Sequence, residues 1–244
     1  FCPLTLPGKP HLRQRRSSMN AETAVQLPLN LDHRPALGAD DFLVAPSNTE
    51  AVGWIDRWPD WDAPGLTIHG PAGCGKSHLL NVWRSRSRAA MVNIAELCRG
   101  LDPTELLGSS SAAAVDCGSA DEAADETTMF HLYNTVAERG GGLLLAAREP
   151  PARWPIALAD LASRLSALPA ISLQAPDDRL LAAVLIKQFS DRQLAVGEEV
   201  IDYLMARIER SFAAARELVQ ALDQAALAGH RRVTIPLARD VLQR

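Results

Sequence analysis

Gly70-Pro71-Ala72-Gly73-Cys74-Gly75-Lys76-Ser77 is the stretch on which the reading of this chain turns. It follows the apolar run Gly65-Leu66-Thr67-Ile68-His69 and leads into a helical pattern that starts at His78-Leu79-Leu80. The string fits G-x-x-x-x-G-K-[ST], and it stands in the strand–loop–helix setting that this pattern requires. Its glycines let the backbone turn N–H groups inward around a polyphosphate. The helix that follows aims its positive end at the same anion. In such a loop Gly70, Gly73, Cys74, Gly75 and His78 frame the phosphates, Lys76 pairs with the β- and γ-phosphates, and Ser77 ligates Mg²⁺. The residues therefore predict binding of a nucleoside di- or triphosphate. Hydrolysis is a separate question.

Composition narrows the setting. The 244 residues are 47% hydrophobic and 22% charged, ordinary values for a globular chain with a real core. They suit one large domain or a large one plus a small one. No apolar run approaches the ~18 residues of a membrane span. Cys2, Cys74, Cys98 and Cys117 are scattered, without a CxxC pair, so neither a disulfide framework nor a zinc site is expected and a reducing, cytoplasmic setting is. The net charge is −4, and the first eighteen residues hold Lys9, Arg13, Arg15 and Arg16 without an acid, which leaves −8 on the remainder. An acidic body does not favour a DNA-binding surface of its own. The chain begins with Phe1. Residues 1–25 read as unstructured, and the part ahead of Met19 as a leader outside the native chain, because it has neither the amphipathic pattern of a transit peptide nor an apolar signal core.

Gln26-Leu27-Pro28-Leu29-Asn30-Leu31 places leucines at alternate positions around a proline. That suits an extended segment, either a strap on its own domain or a peptide that docks on another protein. Residues 49–58 read as an amphipathic helix, residues 90–94 as a strand, and residues 102–111 as a helix remnant and loop. Ala112-Ala113-Ala114-Val115-Asp116 is an apolar run ending in an acid, which in a phosphate-loop fold sets the Asp116 carboxylate near the Mg²⁺ held by Ser77. Asp125 and Glu126 open a helix, where carboxylates suit the dipole. Leu143-Leu144-Leu145-Ala146-Ala147 is a buried strand, residues 158–165 a short helix, and residues 170–173 a last strand. Strand and helix alternate throughout, so a parallel sheet covered by helices on both faces is expected over residues 32–175. From Pro176 onward only helices follow, and residues 176–244 read as a separate all-helical subdomain.

These features together resemble the nucleotide-binding module of the bacterial replication initiator DnaA, and more closely the Hda-type, DnaA-related regulators of the AAA+ superfamily. The matching strings are the phosphate loop, Phe42-Leu43-Val44 with Asn48, Met129-Phe130-His131-Leu132-Tyr133-Asn134 and Arg148-Glu149-Pro150-Pro151. Asp160-Leu161-Ala162-Ser163-Arg164-Leu165 and Arg210-Ser211 with Arg216-Glu217-Leu218 complete the set. The resemblance implies an α/β AAA+ core with a C-terminal helical lid. It implies that Phe42, Leu43, Val44 and Asn48 line the adenine pocket and that Arg216 reaches back to the phosphates. Arg164 becomes an arginine finger projected into a neighbour's nucleotide. Residues 26–31 become the peptide that docks on the DNA polymerase sliding clamp, with Gln26 in a polar site, Leu29 and Leu31 in an apolar pocket, and Leu27 among the contacting residues.

Two departures from the family pattern bear on activity. Asp116 is followed by Cys117 where active relatives carry a second acid, and Ala146-Ala147 stand where a polar sensor is expected. A thiol neither orients water as a carboxylate does nor takes its proton at a useful pKa, so weak or absent hydrolysis by this chain is expected. Whether Asp125 or Glu126 stands in for the missing acid is left open. The initiator continues past its lid into a helix-turn-helix that reads DNA, and no such domain is expected here. The reading that results is a cytoplasmic regulator loaded with ADP or ATP and Mg²⁺, brought to DNA by the clamp. It would complete the ATPase site of DnaA and would not read DNA itself; self-association is an added option. A self-sufficient ATPase of the helicase-loader kind and a non-catalytic adaptor between initiator and clamp are the competing readings.

Overall fold

The computed structural model describes residues 43–118, 125–229 and 231–243. Five strands, β1 (Gly65–His69), β2 (Ala90–Asn93), β3 (Ala113–Asp116), β4 (Leu143–Ala147) and β5 (Ala170–Ser172), form one sheet in the order β2-β3-β4-β1-β5. Every pairing is parallel. A parallel strand needs a crossover of a dozen or more residues, and helices supply most of them. α1 (Thr49–Asp56) and α2 (Lys76–Ser87) lie on one face; α3 (Ile94–Cys98), α4 (Pro103–Leu107), α5 (Glu126–Glu138) and α6 (Ala159–Ser166) belong to the other.

The two faces can be read off β4. Leu144 and Ala146 pack with Leu79, Leu80 and Trp83 of α2, whereas Leu143 and Leu145 pack with Met129, Leu132 and Val136 of α5. Side chains of a strand alternate between faces, so a strand buried on both reads as the unbroken apolar run found here. β1 and β4 run side by side from Gly65↔Leu143 to His69↔Ala147. Their carboxyl ends, with that of β3, mark the edge of the sheet where ligands bind in open α/β folds.

α7 (Asp178–Asp191), α8 (Glu198–Met205), α9 (Phe212–Gly229) and α10 (Ile235–Leu242) follow the sheet. They enclose a core of their own around Leu181, Leu185, Phe189, Leu204, Val219 and Leu222. Asp177 caps α7 by accepting from the Leu180 N–H at 2.8 Å, and Pro236 opens α10 in its first turn, where a missing N–H costs nothing. The α/β core covered on both faces and the helical C-terminal unit are both present as expected. One element differs: the strand expected over residues 90–94 stops at Asn93, because a capping box turns the chain into α3. The Asn93 side chain accepts from Ala95 N–H at 3.1 Å, and Glu96 accepts from Asn93 N–H at 2.8 Å. Among the described residues no helix is long and apolar enough to cross a membrane.

Candidate nucleotide-binding site

The phosphate loop joins the carboxyl end of β1 to α2. Gly75 caps α2 with φ 104° and Gly73 has φ 70°, both in the left-handed region that a side chain resists. Gly70 opens the loop and donates its N–H to the Ala147 carbonyl at 3.2 Å, tying it to the end of β4. Cys74 is 2% exposed and turns its side chain into the core beside α2, so it can offer an anion only its backbone. Lys76 Nζ lies 2.8 Å from the Gly70 carbonyl and 2.7 Å from that of Pro71. His78 is exposed in the first turn of α2.

Asp116 ends β3 where sequence placed it. Ser77 Oγ donates to its Oδ2 at 2.6 Å, while Oδ1 accepts from the Gly118 N–H at 3.1 Å. A hydroxyl and a carboxylate brought together beside a phosphate loop are the hard oxygen donors that Mg²⁺ takes, and that ion completes its shell with phosphate and water. Among the described residues no cluster of three or more His, Cys, Asp or Glu could hold a metal by itself. The donor set fits Mg²⁺ shared with a nucleotide.

The position beside Asp116 is the chemically unusual one. Loss of solvation, and secondly the negative charge of Asp116, push the Cys117 thiol up to about 12. It is a neutral S–H at any working pH. Of the described acids that follow it, Asp125 and Glu126 are both engaged. Asp125 caps α5, accepting from Thr128 N–H at 2.8 Å and Thr128 Oγ1 at 2.6 Å, and these hydrogen bonds hold its pKa below the ordinary value. Glu126 accepts from Ala157 N–H at 2.8 Å with one oxygen and from Leu158 N–H at 2.6 Å with the other. Ala146 and Ala147 are buried and present no polar atom beyond their backbone. Beside Ala147 a cavity of about 230 Å³ is lined by Cys117, Gly118, Arg148, Met129, Leu161 and Leu165 among others.

The helical unit closes over the loop from the other side. Phe212 N–H donates to the Gly73 carbonyl at 2.8 Å, and a Cβ on Gly73 would stand 2.6 Å from that of Ser211. Arg216 is exposed one turn further along α9. Leu43 and Ala45 pack on Leu180 and Ala183 of α7, with Val184 and Phe212 against the same cluster. Leu43 and Ala45 thus sit where core meets lid, with Val44 half-buried between them. Asn48, expected along the adenine pocket, is 4% exposed and hydrogen-bonded within its own loop. Its Oδ1 accepts from Ala45 N–H at 2.9 Å and its Nδ2 donates to the Leu43 carbonyl at 3.0 Å. Its amide shapes the segment that carries Leu43 and Val44. Phe42 and the clamp peptide (Gln26, Leu27, Leu29 and Leu31) lie outside the described residues.

Arg164 is set apart from all of this. It is exposed in the last turn of α6, on the helix layer across the sheet from α2. Its Nη1 donates to Asn134 Oδ1 at 2.6 Å. The guanidinium carbon lies 4.9 Å from the Phe130 ring centroid and 5.5 Å from that of Tyr133, within cation–π range. Among the described residues it meets no carboxylate. The partners on α5 and the lid contact at Gly73 were not foreseen from sequence. Phe130, Tyr133 and Asn134 follow i, i+3, i+4 spacing, which puts them on one face, but nothing in that spacing names α6 as the neighbour.

Residues 177–242 match the family model described as Hda, lid domain. Domain III of the replication initiation protein DnaA from Thermotoga maritima is similar with TM-score 0.69 and 17% identity, over 83% of this chain and 93% of that one. DnaA from Aquifex aeolicus bound to AMPPCP is similar with TM-score 0.61 and 17% identity, over 77% of this chain and 65% of that one. A point mutant of RuvB from Thermotoga maritima gives TM-score 0.62 and 13% identity, over 81% of this chain and 68% of that one. At such identities these structures speak for the fold, and the alignment with the Aquifex initiator takes in just under two thirds of it.

Proposed function

Because this chain is an Hda-type, DnaA-related AAA+ protein, we propose that it is an adenine-nucleotide-bound regulator that lowers replication initiation. It docks on the DNA polymerase sliding clamp through residues 26–31 and stimulates hydrolysis of ATP bound to DnaA. The observation that carries this reading is Arg164: a guanidinium held on two aromatic rings and one amide, exposed, and facing no acid of its own chain among the described residues. A cation so placed is free to meet a neighbour's phosphates. There it offsets the negative charge of the phosphoryl-transfer transition state, a contribution of ~10³–10⁵ in rate where such fingers have been measured in GTPases.

The cis site has the opposite character. The loop N–H groups and Lys76 bind the phosphates, and Leu43 and Val44 bring the adenine side against the lid. Mg²⁺, when bound by Ser77 and Asp116, supplies neutralising charge. Among the described residues no base or water-orienting acid stands free beside Asp116, since Cys117 stays protonated and both Asp125 and Glu126 are engaged. Nucleotide then holds core and lid together and is turned over slowly. The clamp peptide is supported by its alternating leucines and the family resemblance.

The test is single-turnover hydrolysis of ATP already bound to DnaA on clamp-loaded DNA. Acceleration by the intact chain, lost with Arg164→Ala and with Gln26→Ala plus Leu29→Ala, is expected. No acceleration, together with steady ATP turnover by this chain alone, would replace the proposal with a self-sufficient ATPase. Acceleration that survives Arg164→Ala would leave only an adaptor.

A further inference from the structure

We infer that Glu126 is a positioning residue for Arg164, acting through the front end of α6. The inference rests on the trans role proposed for Arg164. α6 is short: eight residues span about 12 Å, and only Leu161 and Leu165 are buried along it. Two side chains on one stripe leave a helix free to rock about that stripe. α5 removes this freedom at both ends. At the back, Asn134 with Phe130 and Tyr133 holds Arg164. At the front, the two Glu126 oxygens accept from the consecutive N–H groups of Ala157 and Leu158, directly ahead of the helix.

The front attachment is of the stronger kind. Hydrogen bonds from neutral N–H groups to a carboxylate are shorter and roughly twice as strong as neutral pairs, and two of them to adjacent peptides fix direction as well as distance. From Leu158 to Arg164 the helix rises about 9 Å, so slack at the front becomes displacement at the guanidinium. A misplacement of about 1 Å can cost ~100-fold in a catalytic step. With both oxygens turned to the amides ahead of α6, Glu126 braces that helix.

The experiment compares intact chain, Glu126→Gln and Glu126→Ala in the DnaA-bound ATP assay on clamp-loaded DNA, with hydrogen exchange at Ala157 and Leu158 read in parallel. Glu126→Ala is expected to lower the maximal stimulated rate by about 10- to 100-fold. The concentration giving half-maximal stimulation should move by less than about twofold, the signature of a group acting in the transition state and not in docking. Glu126→Gln keeps one acceptor oxygen and should fall between the two. In an Arg164→Ala background Glu126→Ala should cost nothing more. Retained thermal stabilisation by ADP reports that the variants are folded. Faster exchange at both amides with an unchanged maximal rate would overturn the positioning role while leaving the trans function intact. A rise in the half-maximal concentration alone would make Glu126 a docking residue and overturn it too. If the intact chain stimulates nothing, the function proposed above fails and this inference fails with it.

Discussion

Gly73→Ala tests the contact between phosphate loop and lid most directly. The residue has φ 70°, a region that costs an L-residue about 1–2 kcal/mol. The added methyl would stand 2.6 Å from Ser211 Cβ and 3.0 Å from its Oγ, against an optimal carbon separation of ~3.5–4.0 Å. Loop and α9 must therefore part by about 1 Å. That weakens the Phe212 N–H to Gly73 carbonyl bond, worth about 1 kcal/mol. The terms come to roughly 2–3 kcal/mol, or about 4–12 °C in Tm at about 2–4 °C per kcal/mol for a domain of this size. The assay is thermal unfolding with and without ADP. The variant should melt lower and gain less from ADP, because the loop and the lid are displaced together. Gly53→Ala is the control of opposite sign: it lies inside α1 with nothing within 4 Å of the new methyl, and should raise stability by up to about 1 kcal/mol. A Gly73→Ala protein with unchanged Tm and unchanged ADP response would refute the packing of α9 on the loop.

Thr67 is fully buried in β1 with its hydroxyl unpartnered, so Thr67→Val should leave stability unchanged or raise it by about 1 kcal/mol, read as the urea midpoint; a clear loss would mean the hydroxyl has found a partner. Alkylation at pH 8, followed peptide by peptide, should label exposed Cys98 well before Cys117, whose thiol is pushed up to about 12, and before buried Cys74. Equal rates at Cys98 and Cys117 would contradict the protonated thiol. His69 has its pKa lowered, first by desolvation and, against the opposing pull of Glu149, by Arg153 and Lys76. The unfolded chain then binds the proton more readily, so this contribution to stability is complete above the ordinary value of 6.5 and is lost as pH falls below it. His69→Gln should flatten the Tm profile between about pH 7.5 and 5.5; an unchanged slope would assign that pH dependence to other groups.

What sequence showed best was what a short window encodes. β4 was legible because a strand covered on both faces is apolar at every position, β1 because its apolar residues lead straight into the loop, and that loop because glycine and lysine there have few other uses. α3 was missed for a local reason, since Asn93 and Glu96 form a capping box within what read as the end of a strand. The remaining gaps are long-range. Glu126 meets Ala157 and Leu158 from 31 and 32 residues away, and Arg164 meets Asn134 across 30. No periodicity announces such pairs; they exist because α5 and α6 share one face of the sheet. Asn48 shows the converse. Its place was legible, but both ends of its amide are taken by the loop around it, which only coordinates reveal.

The seat of α9 on the phosphate loop also has a mechanical meaning. α9 runs 18 residues from Phe212, the residue hydrogen-bonded to Gly73, so its far end lies about 27 Å from that pivot. A tilt of about 5° at the loop would sweep the far end through roughly 2.4 Å over that length, nearly the span of a hydrogen bond. Small adjustments around a phosphate are thus amplified into a change of outline at the far end of the helical unit.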